Sequence, residues 1–139
     1  MSTTRGIVVV AIFAGLAIGT AGPTWAAPTM SGHYIKTETS PVGQHVDADW
    51  VFAPCGDGCA QITNLSEIGQ ARLVNGQRSM DGAVGDVACP DGTRVPEAAS
   101  SHYSWDAVTL AGTNQVTYKA ACGGTAATQT NTIQLRRVG

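Results

Sequence analysis

Four cysteines and three histidines are the side chains in this 139-residue chain best suited to chemistry, and their spacing decides which chemistry. Cys55 and Cys59 flank Gly56-Asp57-Gly58. A redox Cys-x-x-Cys pair has two intervening residues, so this motif does not read as an oxidoreductase centre. The same spacing suits half of a zinc site, but no second close Cys or His pair completes a tetrahedral set. With Cys89 and Cys122 the count is even, which in a small exported chain reads as a disulfide framework. Three pairings are open. Effective concentration favours near neighbours, so Cys55–Cys59 with Cys89–Cys122 is expected, contributing about 2 and about 4 kcal/mol in the chain-entropy picture. Asp57 then stands at the tip of a small covalent loop, exposed, as a candidate ligand contact.

The histidines offer less. His102 lies close to Ser100, Ser101 and Asp106. A Ser-His-Asp set can be drawn from these, yet residues this near in sequence rarely form a triad, and no Gly-x-Ser-x-Gly elbow is present. No catalytic residue is assigned on this basis, and a hydrolase using His102 with a nearby Ser or Asp stands as the alternative to a binding protein. His33 and His45 with Asp47 and Asp49 match no defined ligand spacing, and Asp47-Ala48-Asp49 lacks the Gly and Glu of a calcium loop. No metal or other cofactor is expected. Trp50, Phe52, Tyr103, Trp105 and Tyr118 are read first as core, because a small β domain needs its few large side chains for buried area. Tyr103 and Trp105 are kept as candidate ligand contacts in case the interior holds a pocket. Asn64-Leu65-Ser66 fits a glycosylation acceptor pattern.

The compartment comes from the first residues. Arg5 precedes an uncharged apolar run, Ile7 to Ile18, and Thr24-Trp25-Ala26 places small residues at both positions a signal peptidase reads. Cleavage is predicted after Ala26, giving a signal peptide over 1–26 and a mature domain over 27–139. The run falls short of the roughly 20 apolar residues that span a bilayer, so no membrane span is expected after cleavage. No cysteine lies at the cleavage site and no twin arginine precedes the run, which favours general export over a lipoprotein or twin-arginine route. Losing Arg5 leaves seven of the eight basic residues against ten acidic ones, a net charge near −3. With no basic patch, nucleic acid and anionic membrane are poor partners.

The mature part shows short strand patterns and no sustained helical period. Strands are predicted at 33–39, 48–53, 60–64, 70–74, 78–80, 84–89, 101–105, 108–110, 115–121 and 128–138. A short helical turn is predicted at 66–69 and a loose tail at 27–31. Asn75-Gly76 between Leu73-Val74 and Gln77-Arg78 is a two-residue hairpin signal. Short strands with Gly-rich turns predict an all-β fold, an antiparallel sandwich or small barrel with two disulfides. Alternation places Trp50, Phe52, Ile62, Leu73, Trp105, Leu110, Val116, Ile133 and Leu135 in the core.

Gly32-His33-Tyr34-Ile35, the run Asp49 to Ala60, Cys89-Pro90-Asp91-Gly92, Trp105 to Thr113 and Ala121-Cys122-Gly123 together resemble small secreted proteins of mycobacteria and related actinobacteria. Similar modules form the extracellular part of some membrane serine/threonine kinases. The resemblance spans nearly the whole mature chain and rests on aromatics, glycines and cysteines. It implies export to the envelope or medium and a disulfide-bonded β domain, and it carries no catalytic residues. The expectation from the sequence is a secreted, non-enzymatic binding or interaction domain with an unknown envelope or extracellular ligand. A purely structural envelope protein is the further alternative.

Overall fold

The computed structural model describes residues 29–63 and 69–139. The signal segment, its cleavage site, the acceptor pattern at Asn64 and all but Gly69 of the expected helical turn lie outside the described residues.

Among the described residues the chain forms β1 (Gly32–Thr39), β2 (His45–Pro54), β3 (Cys59–Ile62), β4 (Gln70–Val74), β5 (Gln77–Asp81), β6 (Gly85–Ala88), β7 (Arg94–Asp106), β8 (Ala111–Tyr118) and β9 (Ala127–Arg137). Every pairing is antiparallel. Strands β1 to β5 pair in chain order, as do β7 to β9, and the pairs β1–β9 and β5–β7 close the ring. The result is an eight-stranded antiparallel barrel with β6 as an extra strand. Closure leaves no barrel edge for another chain to pair with. The thirteen-residue β7 makes this possible. Its second half pairs with β5 and its first half with β6, in line on one side, while β8 occupies the other.

Local chemistry explains most element ends. Asn75 and Gly76 both take positive φ, 52° and 78°, the backbone of a two-residue turn whose twist matches the strands it joins. Pro54 ends β2, and the Cys55–Cys59 loop follows with a Cα–Cα distance of 5.0 Å. The second disulfide, Cys89–Cys122 at 5.3 Å, ties the β6–β7 turn to the β8–β9 connection. Both pairings are those expected from chain proximity.

Four expectations are corrected. Residues 108–110 are a turn, because the Asp106 carboxylate accepts the Val108 and Thr109 amides at 2.8 Å each and Leu110 takes φ 63°. Residues 94–100, which fall outside the predicted strands, belong to β7. A bulge at Glu97, φ 53°, absorbs Pro96, and the Glu97 amide donates to Asp86 at 3.1 Å. Thr29–Ser31 is no loose tail at its centre: Met30 is 3% exposed and part of the core. Leu73 and Leu110, expected inside, are half-buried at the barrel end that Met30 plugs.

An eight-stranded barrel is just wide enough for side chains to fill it, and here aromatic rings do so. Trp50 and Trp105 lie 5.9 Å apart, Phe52 is 5.9 Å from Trp50 and 6.0 Å from Trp105, and Tyr34 meets Phe52 edge-on at 5.7 Å. Ile62, Met80, Ile133 and Leu135 complete the cluster. The tight fit of the wall appears at Gly112, opposite Trp105 on β7. A Cβ there would fall on the Ser104 carbonyl and the Trp105 Cα.

Two substitutions test this packing. Trp50→Ala should cost about 3–5 kcal/mol in urea unfolding, as expected for a large buried aromatic; a near-neutral value would contradict a filled barrel. Gly112→Ala adds one methyl group yet should destabilise by about 1–3 kcal/mol or more, since backbone must move to admit it. Thermal unfolding unchanged from wild type would show the β7–β8 contact to be looser than described.

Candidate functional site

The barrel has two unlike mouths. The first carries the Met30 segment, the Cys55–Cys59 loop, the Asn75-Gly76 turn and the 107–110 turn; the second carries the Ser40–Gln44 turn and the β8–β9 connection. Alternation along β1 points Tyr34, Lys36 and Glu38 inward, from the aromatic core toward the second mouth. Lys36 is only 6% exposed. Its ammonium lies 4.9 Å from the Trp50 ring centre and 4.8 Å from that of Tyr103, so two π faces sandwich it. It donates to Glu38 Oε1 at 2.8 Å and lies 3.5 Å from the Tyr103 hydroxyl.

Glu38 is satisfied from three strands. Its Oε2 accepts Asn114 Nδ2 from β8 at 2.9 Å and Asn131 Nδ2 from β9 at 2.6 Å. Asn114 and Asn131 are cross-strand partners, and Gln129 Nε2 donates to Asn131 Oδ1 at 2.8 Å. Burial alone would raise the Glu38 carboxyl. Hydrogen bonds from Lys36, Asn131 and Asn114, with the Lys36 charge, outweigh that and hold it below its ordinary 4.5. One acceptor is left over: the carboxamide oxygen of Asn114, a residue 2% exposed, has no hydrogen-bond partner among the described residues. Glu38 and Asn131 also line an open pocket of about 210 Å³ with Ser40, Gln44 and Val46. Lys36 with Glu38, and the pair Asn114 and Asn131, thus form a polar cluster with solvent access at one end of the interior.

The first mouth is different. Arg78, 3% exposed, lies there between a pocket of about 110 Å³ shared with Met30 and Leu110 and a larger one of about 340 Å³ shared with Asp57 and Leu73. Burial lowers the Arg78 pKa, with Tyr34 acting the other way; an arginine stays charged regardless. Asp57 is exposed at the tip of its loop, which is held by backbone bonds from Cys59 to Gly56 and from Cys55 to Cys59.

The sequence-derived candidates therefore separate. Asp57 sits at the first mouth. Tyr103 and Trp105, at 5% and 0% exposure, are core, and only the Tyr103 hydroxyl touches the polar cluster. His102 pairs with Asp81 on β5, Nδ1 to Oδ1 2.7 Å, and not with Asp106, whose carboxylate caps its own turn. That pair is on an open strand surface, with side chains 52% and 87% exposed. His33 bonds Asp49 at 2.8 Å, His45 bonds Thr39, and Asp47 accepts Thr37, three separate cross-strand contacts along β1 and β2. Among the described residues no group of three or more His, Cys, Asp or Glu side chains is placed to hold a metal ion.

Lys36, Glu38, Asn114 and Asn131 escaped sequence reasoning. The signal was the alternation itself: Lys36 and Glu38 are in phase with Tyr34, Asn114 with Val116, and Asn131 with Ile133. No family model, curated protein or solved structure matches the chain.

The Glu38 pairing makes stability depend on pH with a defined sign. Because its folded pKa lies below the unfolded value, its contribution is complete above the unfolded pKa and is lost as pH falls through the folded one. Wild type should weaken on acidification below about pH 4.5. Glu38→Gln should remove part of that dependence while costing about 3 kcal/mol at neutral pH, because the Lys36 charge is left buried without its counter-ion. Urea melts of both proteins across this range are the check, and identical pH slopes would contradict the assignment.

Proposed function

We propose that this chain is an exported, non-enzymatic binding domain of the cell envelope or extracellular space, taking its ligand at the second mouth of the barrel. The observation that carries this reading is the polar cluster around Glu38 beside an open pocket. Apolar residues of similar volume would serve folding as well or better than a buried ion pair, so a charge pair and two carboxamides kept at one mouth fit recognition better than stability. The two disulfides suit an oxidising compartment. Among the described residues no helix is long and apolar enough to cross a membrane. The motif resemblance to small secreted actinobacterial proteins supports the same placement. Asp57, exposed at the opposite rim, is the second candidate contact.

A hydrolase on His102 is the second reading, favoured by the 2.7 Å contact with Asp81. Against it, the pair lies on an exposed strand face, where nothing excludes water from a reacting group. The purified protein should turn over no ester, peptide or glycoside substrate. His102→Ala should change stability by no more than about 0.5 kcal/mol, as for an ordinary surface position. Turnover that His102→Ala abolishes would replace the binding reading with the hydrolase.

A further inference from the structure

We infer that the pocket between the Glu97 bulge and Lys119 binds a small zwitterion, a free α-amino acid with an apolar side chain. This site is separate from the pocket at Glu38 and goes beyond the binding reading above. Backbone strain marks it. Among the described residues four that are not glycine take positive φ: Asn75 at 52°, Glu97 at 53°, Leu110 at 63° and Cys122 at 55°. Most side chains are strained in that region. Three of the four have a reason inside the protein. Asparagine is among the residues that tolerate the region, and it suits a two-residue hairpin. Leu110 packs against the core, and Cys122 forms the second disulfide. Glu97 differs. Its amide donates to Asp86 at 3.1 Å, a bond that glycine would make equally well. Its carboxylate has no hydrogen-bond or ion-pair partner among the described residues. Glycine is the usual residue where a bulge turns left-handed. A glutamate kept there, with nothing inside the protein holding its side chain, points to a use outside it.

The surroundings set the ligand class. Glu97 and Lys119 both line an open pocket of about 240 Å³, its one acid and its one base among the described residues. Lys119 opens the β8–β9 connection, and its amide donates to the Ala98 carbonyl at 2.8 Å. Ala98, 1% exposed, is thus a fixed floor between the two charges. Glu97 and Lys119 form no ion pair with each other, which leaves a gap for a ligand to bridge. Asp86, the next acid along, is engaged by Arg94 at 3.9 Å. A cation reaching Glu97 would also meet the Lys119 ammonium, and an anion at Lys119 would meet Glu97. A neutral ligand would take water from both charges and return nothing. An ammonium and a carboxylate carried on one carbon meet each charge with its opposite. Val84, 57% exposed, and Ala99 offer an apolar wall for the side chain on that carbon. The pocket is many times what one water needs.

The test is an NMR titration of the isotope-labelled full chain with L-valine. Isobutylamine and isovalerate, which keep the valine side chain and lack one charge each, are the controls. Valine should produce saturable shifts at the backbone amides of Glu97, Ala98, Ala99 and Lys119, and each control should bind more weakly by about tenfold or more, the scale of one lost charge-assisted hydrogen bond. Glu97→Gln and Lys119→Gln change exposed side chains and leave the core alone; each should weaken valine binding by a similar factor. Glu97→Gly should bind no valine yet melt no lower than wild type, because it relieves the backbone. The inference is overturned if valine moves none of these amides, if either control binds as tightly as valine, or if either glutamine variant binds as wild type. A lower melting temperature for Glu97→Gly would overturn it too, by giving the glutamate a structural use. Shifts confined to Glu38, Gln44 and Asn131 would remove this site and place the ligand at the second mouth instead.

Discussion

The buried ammonium of Lys36 is the group around which the barrel interior is arranged. A charge taken out of water needs compensation from every side. Trp50 on β2 and Tyr103 on β7 cover its two faces, and Glu38 on its own strand supplies the counter-charge. Glu38 then recruits Asn114 from β8 and Asn131 from β9. Five strands of the ring are thereby tied to one point. A one-residue slip in the pairing of any of them would turn its contributing side chain to the outer face, so the cluster fixes register where the uniform apolar packing of the other half would tolerate more. Specificity of this kind is the best-attested benefit of buried polar groups.

The same charge divides the barrel into two halves with different tasks. On the Tyr34 side of Lys36 the interior is aromatic and filled, ending at Met30 and Arg78. On the Glu38 side it is polar and open to solvent. The disulfides lie outside both halves. Cys55–Cys59 tightens a turn at the first mouth, and Cys89–Cys122 holds the extra hairpin of β6 and β7 against the β8–β9 connection at the other end. Neither staples the ring itself, whose closure rests on β5 and β7 pairing through five registered positions from Gln77–Asp106 to Asp81–His102.

What could be read from the sequence follows from the range of the interactions involved. The Asn75-Gly76 hairpin, the Cys55–Cys59 loop and most strands were legible because their signals are local. The choice between sandwich and barrel was not, because it depends on β1 meeting β9 and β5 meeting β7, contacts between segments far apart in the chain. The first half of β7 was not legible, because it carries Pro96, which strand patterns exclude unless a bulge such as that at Glu97 accommodates it. Tyr103 and Trp105 were read first as core and kept as candidate contacts, because sequence could not tell a pocket wall from a packed core; both are buried. The polar cluster was hidden for another reason. Lys36 and Glu38 look like ordinary surface charges in a half-buried strand, and only closure of the ring turns that face inward.

Among the described residues two buried side-chain polar atoms lack hydrogen-bond partners, Asn114 Oδ1 and Trp105 Nε1, and their surroundings give them different meanings. Trp105 is fully buried against Trp50 and Phe52, with its backbone pressed on Gly112. Its indole N–H is a cost of filling the barrel, offset by the area of the ring, and no ligand reaches it without unpacking the core. Asn114 is equally buried but sits beside Glu38 and Asn131, which line an open pocket. Its oxygen could have been silenced by a valine such as Val116, two positions along on the same face. A carboxamide there fixes Glu38 with its nitrogen at the cost of one buried acceptor left unpaired.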